Sequence, residues 1–312
     1  MTRFTSVVSL HDNPLTCGVA RFNHELARRL DVPVVPLAPD PSLWGDYPLL
    51  SLKWSELNPT YDDVYTRHHC APQAEHSSAE VMRTAKAKTY GVFWHDAGDA
   101  YVSDHAQVVF HGDPAHGPNG LWCPPVVSDL PRPTPSHLKI LTACMAHKLD
   151  ARPYARLREL LDQTPHTAQL RVSVAIHEGT TLNDAEMHFD ALKQVMGRHH
   201  VYVIGCLTDE ALARELRKCL AVAAFYAKGV RANNTTAHAA MSQGRALITN
   251  LDAESPKDFI HGETCFDIHQ MQAWPSLVQI TRVAKNGRDL YDSTYDWTHL
   301  ISRMEALCDK SK

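Results

Sequence analysis

A loop in the second half of the chain combines positively charged residues with residues that favour the start of a helix. Lys228 and Arg231 come first. Asn234 and Thr235 follow, and both residue types are good N-caps for the helix that is predicted to begin at Thr236. The first N–H groups of a helix carry partial positive charge, so this loop could bind a phosphate group. The alternative is that Asn234 or Thr235 only caps the helix.

Gly18 marks another helix start, because a helix is predicted over 19–30. A residue without a side chain lets the backbone approach an anion, and the N-terminus of the helix attracts that anion. The alternative is a simple turn between a strand and a helix. Gly18 is therefore a second candidate for phosphate binding.

His95 and Asp96 form a third candidate, at the end of a predicted strand. They follow the apolar run 90–94, so both side chains would emerge at the carboxyl end of that strand. Ligands of open α/β sheets bind at this edge, where an imidazole and a carboxylate could take part in catalysis. The alternative for His95 is a purely structural role.

The elements that must position these residues alternate between strands and helices along the whole chain, which is typical of parallel sheets built from βαβ units. Strands are predicted at 6–10, 34–37, 63–67, 89–94, 107–110, 139–143, 169–175, 201–205, 222–226 and 246–249. Helices are predicted at 19–30, 78–87, 153–161, 183–196, 209–219, 236–243, 273–284 and 297–308. The pattern therefore predicts an α/β fold.

A proline-rich segment divides this pattern into two halves. Five prolines fall between residues 123 and 136, a density that neither a helix nor a central strand tolerates. We therefore expect a Rossmann-like domain over 1–127, a linker over 128–136, a second Rossmann-like domain over 137–290 and, over 291–312, a helix that closes or recrosses the assembly. Doubly wound domains bind ligands at the carboxyl ends of their strands, so two facing domains would enclose a cleft.

The composition excludes several classes of protein. The 312 residues carry a formal net charge of -4, without the overall basic character of a non-specific nucleic-acid binder. The eight cysteines form no CxxC pair, so we expect reduced thiols in the cytoplasm. No apolar run approaches the roughly 18 residues of a membrane span, and no HExxH motif indicates zinc. We therefore expect neither stable membrane insertion nor a bound metal.

Several segments resemble the large retaining glycosyltransferase family typified by sucrose and glycogen synthases and bacterial glycan glycosyltransferases. The resemblance to its C-terminal domain covers 201–268 and rests on VYVIGCLTDEALAREL, AVAAFYAKGVRANNTTAHAAMSQGRALITN and HGETCFDI. The tail YDWTHLISRMEAL is similar to the closing helix of the family. In the first half the similar segments are TCGVARFNHELARRL, YDDVYTRHH and VFWHDAG. These segments follow one another in the order found in the family.

The resemblance implies a GT-B fold, in which the first domain lies on the acceptor side and the second binds a nucleotide sugar. It implies transfer of the sugar to a hydroxyl acceptor with retention of configuration and without metal or cofactor, and a UDP-sugar is the expected donor. It places His95 against the donor sugar, with Asp96 next to it, and Lys148 at the donor phosphates. Arg152 is a nearby substitute for Lys148, and either residue could be only a solvated charge.

The sequence departs from the family at two positions. The family carries two glutamates, one for the sugar hydroxyls and one for the ribose, and the matching residues here are Arg231 and Ala239. The sugar and ribose must therefore be held differently, and the candidates for these contacts are Asn233, His238 and Glu263.

The sequence leaves the acceptor open. It could be a glycan or a small molecule, or a 5-hydroxymethylpyrimidine base of DNA, which phage enzymes of this fold glucosylate. In that case the protein would act in the cytoplasm of the phage's host. A protein that binds nucleotide sugars without catalysis and a sugar-nucleotide epimerase are further alternatives, the first because of the missing glutamates.

Overall fold

The computed structural model describes residues 4–10, 13–14, 17–37, 41–52, 90–95, 106–126, 138–175 and 182–310. The predicted strand at 63–67, the predicted helix at 78–87, Asp96 and the predicted linker at 128–136 lie outside these residues. The chain divides into two compact units. The first comprises Met1–Cys123 together with Trp297–Lys312, and the second comprises Pro124–Asp296. The last helix therefore belongs to the same unit as the N-terminal part of the chain.

The first unit contains a parallel sheet of five described strands. They are β1 Ser6–Ser9, β2 Val34–Pro36, β3 Pro48–Leu52, β4 Tyr90–Trp94 and β5 Ala106–His111. Their order across the sheet is β2-β1-β3-β4-β5. Because β2 and β3 lie on opposite sides of β1, the topological switch point falls between β1 and β3. Ligands of doubly wound sheets bind beside such a point, at the carboxyl ends of the strands.

The central strands of this sheet are apolar along most of their length, as is typical of parallel strands covered on both faces. Every residue of β1, β3 and β4 is buried. The sequence analysis does not predict β3. This strand begins at Pro48, a residue that is tolerated at the first position of a strand because its missing N–H is not needed there.

Two helices of the first unit contact each other through an aromatic pair. The first helix, α1 Gly18–Leu30, buries Phe22 on its apolar face. The final helix, Trp297–Lys310, begins with an indole ring that stacks on the ring of Phe22, with 5.2 Å between the ring centroids. The guanidinium of Arg29 lies over the same indole ring, at 5.0 Å. These contacts attach the end of the chain to α1.

The second unit contains a parallel sheet of six strands. They are β6 Lys139–Met145, β7 Gln169–Ala175, β8 His200–Gly205, β9 Ala221–Ala223, β10 Ala246–Thr249 and β11 Phe266–Asp267. Their order across the sheet is β11-β10-β9-β6-β7-β8. This is the Rossmann order, and its switch point lies between β6 and β9. The predicted fold class, two parallel-sheet α/β units, is confirmed.

Helices connect the strands of the second unit. They are α2 Arg152–Asp162, α3 Leu182–Met196, α4 Asp209–Lys218, α5 Thr235–Ser242 and α6 Leu277–Leu290, so that Trp297–Lys310 is α7. Helix α6 begins later than predicted because Ser276 and Gln279 form a capping box. Strand β9 ends earlier than predicted, since the backbone of Tyr226 pairs with the side chain of Asn250. Within the described ranges, no helix is long and apolar enough to cross a membrane.

Candidate functional site

A small pocket lies at the switch point of the second unit. Three groups of residues line it: the end of β6, the turn that leads into α2, and the residues that follow β9. They are Thr142, Ala143, Cys144, Lys148, Leu149, Asp150, Tyr154, Ala224, Phe225 and Tyr226.

The floor of the pocket contains two polar side chains, Thr142 and Tyr154, that are buried and hydrogen-bonded. The Thr142 hydroxyl donates to the carbonyl oxygen of Ala223 at 2.7 Å and lies 2.6 Å from the Tyr154 hydroxyl. Burial raises the pKa of Tyr154, which keeps its phenol protonated. These bonds connect β6, β9 and α2, and they give the pocket a rigid, uncharged floor.

Lys148 is the lysine that lines the pocket. Burial raises the pKa of the neighbouring Cys144 thiol to about 12, and the charge of Lys148 opposes that shift. Arg152, the predicted substitute, holds the Asp150 carboxylate with guanidinium N···O distances of 2.6 to 3.0 Å. This pairing also compensates the negative charge of Asp150 beside the pocket. Lys148 is therefore better placed than Arg152 to meet an anion.

The start of α5 lies at the edge of the same pocket. The Thr236 hydroxyl donates to the carbonyl oxygen of Ala143 at 3.0 Å, which attaches the first turn of α5 to the end of β6. Asn234 stands at the N-cap position, but its side chain accepts a hydrogen bond from the backbone N–H of Arg231 at 2.6 Å and does not cap the helix. Thr235, the first helical residue, follows it. The first turn of α5 thus lies next to Ala143, which lines the same pocket as Lys148.

Arg231 is held within its own loop. Its guanidinium makes two hydrogen bonds to the Asp252 carboxylate, at 2.7 and 2.8 Å, and a third to Glu254 at 3.2 Å. The guanidinium holds the pKa of Asp252 below its usual range. Gly229 leaves space for this ion pair, because a Cβ at this position would lie 2.7 Å from the Asp252 carboxylate carbon. The backbone φ of Gly229 is +73°, a conformation that also favours glycine. The charge of Arg231 is therefore compensated by two carboxylates.

The other predicted contacts of the second unit lie away from the lining of the pocket. His238 is fully buried, and its Nε2–H donates to the carbonyl oxygen of Ala232 at 2.7 Å. Lys228 and Glu263 are exposed, and Asn233 is partly buried. None of these four residues is among those that line the pocket. His238 therefore stabilises the loop before α5 through its buried hydrogen bond to Ala232.

His95 follows β4 in the first unit and is only 7% exposed. Its backbone N–H donates to the carbonyl oxygen of Leu52 at 2.9 Å, which extends the pairing of β3 and β4 by one bond. Its imidazole contacts the rings of Phe22 and Phe93, at centroid distances of 5.1 and 4.9 Å, and its Nε2 is 2.7 Å from Ser51 Oγ. The ring is therefore held firmly at the carboxyl edge of the sheet.

Gly18 is the first residue of α1 and is exposed. The N-cap residue, Cys17, makes no side-chain hydrogen bond to the helix. A Cβ added at Gly18 would meet no described atom within 4 Å. Steric contacts within the described part of the chain therefore do not require glycine at this position.

This chain is similar in fold to several proteins of known structure. No protein-family model and no curated protein matches the sequence. Sucrose-phosphate synthase from Thermosynechococcus elongatus is 14% identical, with a TM-score of 0.56 over 98% of each chain. HepE from Anabaena, solved with UDP, is 11% identical, with a TM-score of 0.55 over 98% of each chain.

TarM from S. aureus was solved with UDP, Fondaparinux and alpha-GlcNAc-glycerol. It is 11% identical, with a TM-score of 0.55 over 93% of this chain, which spans 59% of the length of TarM. At these identities the likeness shows the fold, and the chain has the GT-B fold of these glycosyltransferases. The resemblance stated from the sequence is confirmed at this level.

Proposed function

We propose that this protein is a glycosyltransferase that moves a sugar from a nucleotide sugar to a hydroxyl acceptor. The observation that carries the proposal is the pocket between β6 and β9 at the switch point of a Rossmann sheet, which Lys148 lines and beside which α5 is attached through Thr236. A positive side chain and the N-terminus of a helix are a combination that binds phosphate groups. The GT-B fold supports the same conclusion.

The proposed donor is a UDP-sugar. TarM and HepE were solved with UDP, and both share the fold of this chain with TM-scores of 0.55. In our proposal the diphosphate lies in the pocket, bound by Lys148, Thr235 and Thr236. We leave Arg231 and His238 out of the direct contacts, because the first is paired with Asp252 and the second is buried. From the first unit we propose His95 in the reaction centre and the Gly18 backbone as a phosphate contact.

The proposed chemistry is metal-independent transfer with retention. The bond between the sugar C1 and the diphosphate oxygen breaks, and an acceptor hydroxyl forms a new bond to C1 on the same face. The leaving phosphate oxygen takes the proton of the acceptor. Charge develops on the diphosphate as its bond breaks, and the Lys148 ammonium and the N–H groups of α5 would stabilise it.

Binding without catalysis is the second candidate, and one observation favours it. Of the two positions where the resembling family has glutamates, Ala239 is buried and the charge of Arg231 is compensated. Neither residue supplies a carboxylate for the hydroxyls of a donor.

A turnover assay separates the two candidates. We expect release of UDP from at least one of UDP-glucose, UDP-N-acetylglucosamine and UDP-galactose in the presence of EDTA, and faster release when a suitable acceptor is added. The acceptors to test are glycans, small hydroxyl compounds and DNA that contains 5-hydroxymethylcytosine. NMR of the product should show the anomeric configuration of the donor. Binding of UDP without turnover of any donor would favour the second candidate.

Gly18 gives a prediction that separates binding from stability. Gly18→Ala should leave the free energy of unfolding unchanged or raise it by about 0.5 kcal/mol, since alanine favours a helix and no described atom obstructs the methyl group. If the backbone of Gly18 contacts the donor phosphate, the methyl group should raise KM for the donor about tenfold. Thermal unfolding and donor kinetics of the same preparation measure both effects. An unchanged KM would identify Gly18 as a simple turn.

A further inference from the structure

A chain of buried polar side chains lies behind His95 in the first unit. The Asn23 amide nitrogen is 2.8 Å from Ser9 Oγ, and the Asn23 carbonyl oxygen is 2.5 Å from Ser51 Oγ. Ser51 Oγ is in turn 2.7 Å from His95 Nε2. Ser9, Asn23 and Ser51 are each no more than 1% exposed. We call these three residues and His95 the relay.

The orientation of the Asn23 amide, with its nitrogen toward Ser9 and its oxygen toward Ser51, sets the direction of each hydrogen bond in the relay. The Asn23 carbonyl oxygen can only accept, so the Ser51 hydroxyl donates its one hydrogen to it. Ser51 Oγ can then only accept from His95, and the ring carries its hydrogen on Nε2. The other ring nitrogen, Nδ1, is left as an acceptor. The Cys123 sulfur lies 3.7 Å from Nδ1, and burial raises the pKa of this thiol, which keeps its hydrogen.

The relay lies at the switch point of the first sheet. Ser9 ends β1, and Ser51 is its direct partner in the parallel register of β1 and β3. Asn23 reaches both serines from α1. The relay therefore connects β1, α1 and β3 to the residue that follows β4, at the edge where a sheet of this order binds ligands.

We propose that Asn23 and Ser51 are positioning residues that hold the His95 imidazole in the tautomer with hydrogen on Nε2 and in the orientation that sugar transfer requires. This inference rests on the proposed function, because it assigns His95 to the reaction centre. Asn23 and Ser51 make no contact of their own with the reacting atoms. They act by removing the alternative tautomer and the alternative positions of the His95 ring before the substrates bind.

The test combines NMR of the ring with kinetics of the same variants. Protein labelled with ¹⁵N in its histidines gives the tautomer of each ring, and His95→Gln assigns the His95 signals. Ser51→Ala and Asn23→Leu each break the relay. Ser6→Ala is the matched control, because Ser6 lies in β1, is 1% exposed and bonds to the carbonyl oxygen of Trp44, outside the relay.

We expect hydrogen on Nε2 of His95 in the wild type and in Ser6→Ala, and a mixture of tautomers in Ser51→Ala and Asn23→Leu. We expect kcat to fall about 10- to 100-fold in the two relay variants, with KM for the donor nearly unchanged. A wild-type ring with hydrogen on Nδ1 would overturn the proposal, as would an equal loss of kcat in Ser6→Ala. If the wild type turns over no sugar nucleotide, the proposed function fails, and the tautomer spectra alone decide whether the relay exists.

Discussion

Replacing His95 with glutamine should lower kcat/KM for sugar transfer about 100- to 1,000-fold and leave the fold intact. Hydrogen bonding and proton transfer by a positioned side chain in the transition state contribute about 100- to 10,000-fold in enzymes. The imidazole is well suited to such a role because Phe22, Phe93 and Ser51 hold it. A glutamine amide can still donate to Ser51 Oγ, so the relay keeps its hydrogen bond while the ring is lost.

The control for His95→Gln is His95→Ala, which also removes the hydrogen bond that Ser51 Oγ accepts from the ring. We expect similar loss of activity in both variants, and a larger loss of stability in His95→Ala, since a hydrogen bond contributes about 0.5–1.5 kcal/mol and the lost ring leaves a cavity. Steady-state kinetics and thermal unfolding measure the two effects. Wild-type kcat/KM in His95→Gln would show that His95 has only a structural role.

Acid should destabilise the protein by about 3 kcal/mol through His238 alone. Burial lowers the pKa of this residue from 6.5 to about 4 in the folded protein. Between these two values the unfolded chain binds a proton that the folded chain does not bind. Stability is therefore lost as the pH falls from 6.5 to about 4, and one pKa unit corresponds to about 1.4 kcal/mol.

His238→Gln isolates this contribution from the other histidines. The glutamine amide can donate to Ala232 as the imidazole does, but it does not titrate. It loses the ring contact with Tyr295, whose centroid is 4.6 Å from that of His238, so the variant should be less stable than the wild type at pH 7. Urea unfolding at several pH values should show this difference shrinking by about 3 kcal/mol as the pH falls from 7 to 4. A difference that does not change with pH would contradict the prediction.

The sequence predicts both sheets because their strands are short apolar runs separated by amphipathic helices. The described strands β1, β4, β6 and β7 lie within two residues of the predicted ranges. β3 and the two-residue strand β11 are not predicted. The five residues of β3, Pro48 to Leu52, begin with proline and hold Ser51 in an otherwise apolar run, so the local pattern is too short to distinguish a buried strand from a loop. Only the pairing with β1 and β4 identifies it.

The candidate site is predicted less completely than the fold. Asn23 carries a signal that the sequence analysis does not use: it lies on the buried stripe of α1, three residues after Ala20 and four before Ala27, where a polar side chain needs a buried partner. Arg231 carries no such signal. Its partners Asp252 and Glu254 follow more than twenty residues later in the chain, and only the packing of β9 beside β10 brings them to its loop.

The most direct test of a donor site in the second unit is a calorimetric titration of UDP into the wild type and into Lys148→Ala. We expect the wild type to bind UDP, and Lys148→Ala to bind it about tenfold more weakly or worse, since a hydrogen bond to a charged group contributes about 1.5–3 kcal/mol. Lys193→Ala is the matched control, an exposed lysine on α3 that pairs with Asp190 and does not line the pocket. It should bind UDP like the wild type. No binding of UDP by the wild type, or equal affinity in Lys148→Ala, would contradict a donor site between β6 and β9.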